Sequence, residues 1–425
     1  IVGLTGNIRY SRGSGGSGDE TYRLMPTTEP FFVVDNPAPT SAPDVGGALR
    51  VASYNVLNYF TTLDQSPNRG KCGPNADLGC RGADSQEEFE RQHSKLMTAL
   101  LALNADIVGL IELENNESAA LQSIVDGLNA VAGAGTYDFI DTGTIGTDAI
   151  RQGFIYKTGT VTPSGEHAIL DSSVDPLFID TRNRPVLAQT FIEVASGGAL
   201  TIAVNHLKSK GSNCNSIGDP DLGDGQANCN LTRTQAASAL VTWLSTDPTG
   251  SGDDDFLIMG DLNAYLREDP VVAIENAGYT NLLSEFVGTD AYSYLFDGQI
   301  GALDHALSSP ELAAQVTGVA EWHINADEAD ATDYNLDFGR NADIFDSTIP
   351  NRASDHDPIV IGLTLIDDTD EDGVLNRYDF CPDTVIPEMA PTRRLNPNHW
   401  ALVDGGFDFD TVSKGKGPGR SYSTA

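Results

Sequence analysis

Seven short apolar runs of strand length recur across the central part of this chain, and they constrain its fold more than any other feature. They are rich in β-branched residues, which favour strands. The runs lie at 51–56, 106–111, 153–156, 187–194, 200–204, 256–259 and 359–365.

Helical patterns lie between these runs. One apolar face is built from Phe89, Leu96, Leu100 and Leu103, a second from Leu121, Ile124, Val125, Leu128 and Val131, and a third pattern covers 234–244. Strands interspersed with amphipathic helices predict a mixed α/β domain. We expect a four-layered α/β/β/α sandwich, with two mixed sheets packed face to face and the helices outside.

Composition divides the chain into four segments. Residues 1–48 are rich in Gly, Ser, Thr and Pro, which is typical of the tail of an upstream β-rich module and a linker. Residues 49–366 contain all seven apolar runs and form the main domain. An acidic loop at 367–384 and an incomplete segment at 385–425 follow. We expect the chain to be truncated at both ends, since neither a signal peptide nor an initiator Met is visible and the last residues, 405–425, end without an evident terminating element.

The chain is strongly acidic, with a formal net charge of -36. This argues against a basic nucleic-acid clamp, whose affinity comes from Lys and Arg that neutralise phosphates. Any phosphate chemistry here therefore requires bound cations. No apolar run reaches eighteen residues, so we predict no membrane span. No protein partner is evident.

Four of the five cysteines form two close pairs, Cys72 with Cys80 and Cys214 with Cys229, each around a Gly/Asp-rich loop. We favour local disulfides over buried thiols, although four cysteines allow three pairings. Because such bonds persist in oxidising compartments, we expect a secreted, extracellular or periplasmic protein. Cys381 has no evident partner.

Polar residues end or interrupt the apolar runs at eight positions. They are Asn55, Glu112, His206, Asp261, Asn263, Asp304, Asp355 and His356. Taken singly, each suits a turn residue or a hydrogen-bonded core residue. Burying so many polar groups at strand ends is costly unless they are paired or bind a metal, so their joint occurrence predicts one site.

The order of these residues resembles the endonuclease/exonuclease/phosphatase superfamily, which has the DNase-I-like fold. The resemblance covers about 50–365. It is carried by RVASYNVLNYF at 50–60, GADS at 82–85, IELENN at 111–116 and NHLKSKG at 205–211, which look like the bacterial secreted endonuclease branch.

The resemblance implies a divalent cation, Mg²⁺ or Mn²⁺, because such ions prefer hard oxygen ligands. Glu112 is then the principal carboxylate ligand, with Asn55 and Asp355 nearby. The chain differs from the family pattern at Ile111, where many relatives have Gln. Glu114 is a rival ligand, since it would point the same way as Glu112 if the strand continued.

The resemblance also implies catalytic roles. His356 would be the general base toward water, polarised by Asp304, while Asp261 and Asn263 orient the water and the scissile phosphate. His206 would bind phosphate or act as an acid. A second assignment, in which Asp261 takes the proton from water, remains open.

Several further residues are candidates for substrate contacts. Arg151, Arg184 and Lys208 are candidate phosphate ligands, although surface Arg and Lys are usually only solvated. Asp148 precedes a predicted strand and is a candidate for orienting His206, or else a turn residue.

A calcium loop is predicted after the last strand, over 368–379. Oxygen donors stand at loop positions one, three, five, nine and twelve, with Gly at six. It resembles a thrombospondin type 3 or dockerin-like loop and would bind structural Ca²⁺. The donors are Asp368, Asp370, Asp372, Asn376 and Asp379.

Three functions compete. The leading hypothesis is a secreted metal-dependent endonuclease that hydrolyses phosphodiester bonds of DNA, or RNA as well, by in-line attack of an activated water. A phospholipid or small-phosphoester hydrolase would use the same site, but no exposed aromatic hairpin for membrane insertion is evident in the sequence. The third is an inactive calcium-dependent adhesion or matrix protein.

Overall fold

The structure, a computed structural model, describes residues 4–12, 20–29, 39–366, 392–396 and 399–402. All seven predicted strands and three predicted helices are present, so these predictions are confirmed. The strands are β1 (Gly6–Arg12), β2 (Glu20–Pro26), β3 (Leu49–Tyr59), β4 (Ile107–Glu114), β5 (Tyr137–Phe139), β6 (Ile150–Lys157), β7 (Val161–Leu170), β8 (Arg184–Glu193), β9 (Ala199–His206), β10 (Phe256–Asp261), β11 (Thr280–Asn281), β12 (Tyr294–Phe296), β13 (Gln299–Gly301), β14 (Asp304–Ser308), β15 (Val316–Glu321), β16 (Ile359–Leu363), β17 (Thr392–Asn396) and β18 (His399–Leu402). The helices are α1 (Gln86–Leu103), α2 (Ala119–Ala132), α3 (Asn230–Leu244), α4 (Asp269–Asn276), α5 (Leu282–Phe286) and α6 (Pro310–Ala313). The predicted calcium loop and Cys381 lie outside the described residues.

Two six-stranded sheets form the main domain. The first has the strand order β15-β16-β3-β4-β6-β5, and the second has the order β11-β14-β10-β9-β8-β7. Each sheet contains one parallel pair among antiparallel neighbours: β3 with β4 in the first, and β9 with β10 in the second. The helix α1 connects the first pair and α3 connects the second. Both sheets are therefore mixed, as predicted. In each sheet, the carboxyl ends of the two parallel strands lie side by side at the same edge.

The inner faces of the two sheets pack together in one core. At its centre β4 approaches the second sheet so closely that a Cβ on Gly109 would lie 2.4 Å from Met259 Cε and 2.5 Å from Val204 Cγ2. A glycine therefore permits the contact between the sheets. The large side chains around it are fully buried, which stabilises each by about 1.5–3 kcal/mol relative to exposure.

The helices cover the outer faces. Leu96 of α1 and Leu121 of α2 lie in one buried cluster with Ile155 of the first sheet. Leu240 of α3 lies in another cluster with Ile258 of the second sheet. The order helix, sheet, sheet, helix confirms the predicted four-layered α/β/β/α sandwich.

Both predicted disulfides are present, with Cα atoms 5.1 Å apart for Cys72–Cys80 and 5.3 Å apart for Cys214–Cys229. The local pairing is confirmed. Among the described residues, no helix has the length and apolar character to cross a membrane.

Candidate active site

Four predicted site residues lie where the parallel strand pairs end. Asn55 and Glu112 belong to β3 and β4, while His206 and Asp261 are the last residues of β9 and β10. Because the sheets pack face to face, these ends meet. His206 Nε2 lies 3.8 Å from Glu112 Oε1 and 3.5 Å from Asp261 Oδ2. One polar cluster is therefore shared by both sheets.

A bulge in β4 places Glu112 in this cluster. The pairing with β6 joins Leu110 to Gly153 but Leu113 to Arg151, so β4 contains one extra residue between them. Glu112 occupies the left-handed region with φ 69°. That conformation costs about 1–3 kcal/mol for a residue other than glycine, and such bulges re-aim side chains beside active sites.

The same bulge separates Glu112 from the rival ligand Glu114. The Glu114 carboxylate is buried and accepts hydrogen bonds from Thr61 N at 2.8 Å and Asn116 Nδ2 at 2.7 Å. Glu112 Oε2 accepts instead from Asn58 N at 3.1 Å. Glu114 therefore holds a neighbouring loop, while Glu112 lies with the other site residues.

His356 is held by the carboxylate of Asp304. His356 Nδ1 lies 2.6 Å from Asp304 Oδ2, which also accepts from Ser293 Oγ at 2.7 Å. The Tyr294 ring lies against the imidazole, with centroids 4.5 Å apart. Burial alone would lower the pKa of His356, but the negative charges of Asp304 and Asp355 raise it well above its usual value. The arrangement fixes the ring and leaves Nε2 as its remaining polar atom.

Arg184 contacts the imidazole of His206. Arg184 Nη1 lies 3.1 Å from His206 Nε2, and because a guanidinium only donates, Nε2 accepts and the ring proton is on Nδ1. Burial, followed by the positive charge of Arg184, lowers the pKa of His206 well below its usual value. Nδ1 is buried and has no hydrogen-bond partner among the described residues. Nε2, which lies 3.8 Å from Glu112 Oε1 and 3.5 Å from Asp261 Oδ2, is therefore the ring atom that faces the cluster.

Asp261 and Asn263 form a tight unit. Asn263 donates to Asp261 twice, from its backbone N at 2.8 Å and from Nδ2 at 3.0 Å. Asn263 has φ 47°, in the left-handed region that Asn tolerates. Burial raises the pKa of Asp261 to about 7, although His356 opposes the rise and Asp304 adds to it.

The expectation that Asp148 orients His206 requires correction. Asp148 Oδ2 accepts from Arg184 Nε at 2.9 Å, and Asp148 Oδ1 pairs with Arg81 Nη2 at 2.6 Å. Asp148 thus reaches His206 only through the Arg184 guanidinium. Arg184 is the group that contacts the imidazole directly.

The oxygen donors predicted to hold a metal ion fit one. Burial raises the pKa of Glu112, and the nearby negative charge of Asp355 raises it further, so a cation between them would be stabilising. The described residues contain no group of three or more His, Cys, Asp or Glu side chains arranged to hold an ion. A cation here would be held by two carboxylates, with Asn55 Oδ1, which accepts from Leu57 N at 3.1 Å, as a further oxygen ligand. Few protein ligands suit Mg²⁺, which keeps several waters and binds substrate phosphates.

The three candidate phosphate ligands are placed differently. Arg184 lies in the cluster. Arg151 does not: it is buried and donates to Thr142 Oγ1 and to the carbonyl oxygen of Glu117. Lys208 is half-buried beside Arg184, and burial, followed by the charge of Arg184, lowers the pKa of the Lys208 amine.

An exposed hairpin beside the site was not expected. The strands β12 and β13 pair through Leu295 and Ile300, and Phe296 at the turn is 62% exposed. Tyr294, which contacts His356, begins this hairpin. The structure therefore contains an exposed hairpin with an aromatic side chain at its turn, which was not evident in the sequence. These strands have only three residues each, too few to show a two-residue periodicity.

A family model decides the classification. The model of the Endonuclease/Exonuclease/phosphatase family matches residues 52–356 of this chain. The chain belongs to this family. Its members are hydrolases that act on phosphoester bonds and generally use divalent metal ions such as Mg²⁺. No curated protein matches the chain.

Solved structures similar to this chain include humanized TDP2 from D. rerio, at 16% identity over 74% of this chain and 97% of that one, with a TM-score of 0.45. A family protein from Bacteroides thetaiotaomicron has 16% identity over 74% and 93%, with a TM-score of 0.45. The mannosyl-6-phosphatase of the same organism has 15% identity over 75% and 100%, with a TM-score of 0.44. At such values these likenesses carry no argument about substrate.

Proposed function

We propose that this Endonuclease/Exonuclease/phosphatase family member is a secreted, metal-dependent endonuclease that hydrolyses phosphodiester bonds of DNA. The observation that carries the proposal is the placement of the Asp304–His356 pair opposite a cluster of Glu112, His206 and Asp261. Such a set supplies the three needs of phosphodiester hydrolysis: an activated water, a cation site and donors to the phosphoryl oxygens.

The side chains divide this work by their protonation and contacts. Asp304 accepts the Nδ1–H of His356, and in the neutral imidazole Nε2 would take the proton that the attacking water loses. Asp261, oriented by Asn263, accepts a hydrogen bond from that water. His206 faces the same cluster through Nε2, next to Arg184, and would bind the phosphate there or act as an acid. An enzyme in which Asp261 takes the proton would have the same geometry.

The cation would be held by Glu112, Asp355 and the Asn55 amide oxygen. When bound, Mg²⁺ or Mn²⁺ neutralises negative charge that develops on the phosphate. In a chain with net charge -36, this also offsets repulsion of the substrate.

Export to an oxidising compartment is supported by the two disulfides. Both close surface loops, and such bonds persist where thiols are not kept reduced. The disulfides therefore support secretion, and this inference is independent of which reaction the protein catalyses.

The test is cleavage of a supercoiled plasmid by the purified protein, with Mg²⁺ or Mn²⁺ and with excess EDTA. We expect nicked and then linear DNA with the metal and none with EDTA. Absence of cleavage with either ion, on plasmid and on single-stranded DNA, would refute the proposal.

One observation favours a second candidate, a phospholipid hydrolase. The β12–β13 hairpin exposes Leu295, Phe296 and Ile300 beside the site, and such apolar groups suit insertion into a lipid interface. A cleft of about 350 Å³ lies next to it, lined in part by Tyr265, Ile300 and Gly301. Hydrolysis of phosphatidylcholine or sphingomyelin vesicles without cleavage of DNA would select this candidate. Loss of that hydrolysis in Phe296→Ser would assign it to the hairpin.

A further inference from the structure

Three cationic side chains, Arg81, Arg182 and Lys208, lie together at the border of the catalytic cluster, and we call them the cationic rim. Arg81 Nη2 pairs with Asp148 Oδ1 at 2.6 Å, and the Arg81 side chain is 41% exposed. The backbone N of Lys208 donates to Asn183 Oδ1 at 3.0 Å, which places Lys208 beside the residue that follows Arg182.

The rim is continuous with the catalytic cluster. Arg81 shares Asp148 with Arg184, and Arg184 contacts both His206 Nε2 and the carbonyl oxygen of Leu207. A ligand on the rim would therefore lie along the same surface as a phosphate bound by His206.

The rim has an excess of positive charge and unused donors. Asp148 pairs with Arg81 and Arg184, and its negative charge also acts on Lys208, in a chain whose net charge is -36. Arg182 Nη2 donates to Ser216 Oγ at 2.8 Å, but its buried Nε has no hydrogen-bond partner in the described parts of the chain. Lys208 Nζ likewise makes no hydrogen bond or ion pair with described residues. Burial and the charges of Arg184, Arg182 and Arg81 lower the pKa of Lys208, whereas an anion would be attracted.

The two disulfides hold the rim in place. Arg81 directly follows Cys80, and Ser216, which fixes Arg182, lies two residues after Cys214. Two surface loops that are far apart in sequence are thus closed next to the residues that present the charges. Ordering these loops before binding lowers the entropic cost of holding a ligand.

We propose that the cationic rim binds a second phosphate of the substrate strand, next to the phosphate that is cleaved. The inference rests on the proposed nuclease function and deepens it, because it assigns a polynucleotide strand as the substrate class. A phospholipid with one phosphodiester has no second phosphate for the rim. The rim residues bind backbone phosphate and carry no base specificity.

The test compares Arg182→Gln and Lys208→Gln with Lys157→Gln, which removes one positive charge at the opposite end of the first sheet, where Lys157 pairs with Asp106. KM and kcat are measured with Mg²⁺ on a twenty-nucleotide single strand and on bis(p-nitrophenyl) phosphate, which has one phosphodiester. We expect each rim variant to raise KM for the oligonucleotide about tenfold. The rise should exceed that for the small substrate, and Lys157→Gln should change neither.

Binding provides a readout independent of turnover. In a His356→Ala background with Mg²⁺, anisotropy of the labelled oligonucleotide gives Kd across a range of NaCl concentrations. Each rim substitution should reduce the slope of log Kd against log salt by about one.

If the wild type cleaves the oligonucleotide and both rim variants have unchanged KM, Kd and salt slope, the rim does not bind a second phosphate. The nuclease proposal would remain intact in that case. Equal losses on both substrates would overturn it as well, because the residues would then serve the reacting phosphate. Failure of the wild type to cleave any nucleic acid would instead refute the proposed function. Cleavage of bis(p-nitrophenyl) phosphate and lipid alone would exclude the polynucleotide.

Discussion

Asp304 Oδ2 lies 2.6 Å from His356 Nδ1, and this contact joins the two sheets of the sandwich. Asp304 begins β14 of the second sheet, while His356 precedes β16 of the first. The pair therefore depends on the packing of the whole domain. Its geometry is fixed before any substrate binds, which reduces reorganisation during the reaction.

Asp304→Asn should lower kcat about 10²- to 10⁴-fold, the usual contribution of a positioned acid or base. The amide keeps the shape of the side chain but removes the charge that raises the pKa of His356. Steady-state rates on an oligonucleotide, with circular dichroism to verify the fold, provide the measurement. Asp290→Asn, at the exposed end of a short 3₁₀ helix, is the control. A folded Asp304→Asn protein with kcat within about threefold of wild type would contradict the role.

Glu112→Gln and Glu114→Gln should have different effects. Glu112→Gln should raise the Mg²⁺ concentration for half-maximal activity by about tenfold or more, since it removes a charged ligand. Glu114→Gln should leave that concentration unchanged and lower thermal stability, because Glu114 accepts hydrogen bonds from Thr61 and Asn116. Mg²⁺ titrations of rate and thermal melts distinguish them. The opposite pattern would make Glu114 the ligand.

Glu321→Gln should change how stability depends on pH. Burial raises the pKa of Glu321 to about 7 in the folded protein, while its Oε2 accepts from Tyr292 N at 3.0 Å. The folded state then retains a proton that the unfolded state loses above about pH 4.5. Wild-type stability due to this group is present below pH 4.5 and is lost as pH rises toward 7.

Urea unfolding at pH 5 and pH 7 tests this. The free energy of unfolding of Glu321→Gln relative to wild type should increase with pH, on the order of 1 kcal/mol per pH unit. Glu166→Gln, at an exposed carboxylate, is the control. A constant difference between variant and wild type across this range would show that Glu321 is ionised in the folded protein.

The strands that carry the site were predictable because they are long and apolar. The polar residues at or near the ends of four of these apolar runs located the cluster. The strands are β3, β4, β9 and β10, and the residues are Asn55, Glu112, His206 and Asp261. Asp357, which directly follows His356, has a structural role instead: its Oδ1 accepts from three successive backbone N–H groups.

Other parts of the site carried no local signal. The bulge at Glu112 breaks the two-residue alternation, so strand periodicity wrongly aligned Glu114 with it. Ser293 and Tyr294 lie in or beside a three-residue strand, too short to show a pattern. Arg81 and Arg184 both contact Asp148, but these three residues are far apart in the sequence and are brought together only by tertiary packing.

Plasmid nicking by wild type, His356→Ala and the control His167→Ala, in Mg²⁺ and at equal protein concentration, tests the central claim most directly. His356 is buried on Asp304, whereas His167 lies in the outer strand β7. We predict rapid conversion of supercoiled DNA by wild type and by His167→Ala, and a loss of about 10²-fold or more in His356→Ala. Equal nicking by a folded His356→Ala protein would show that the reaction does not occur at this site.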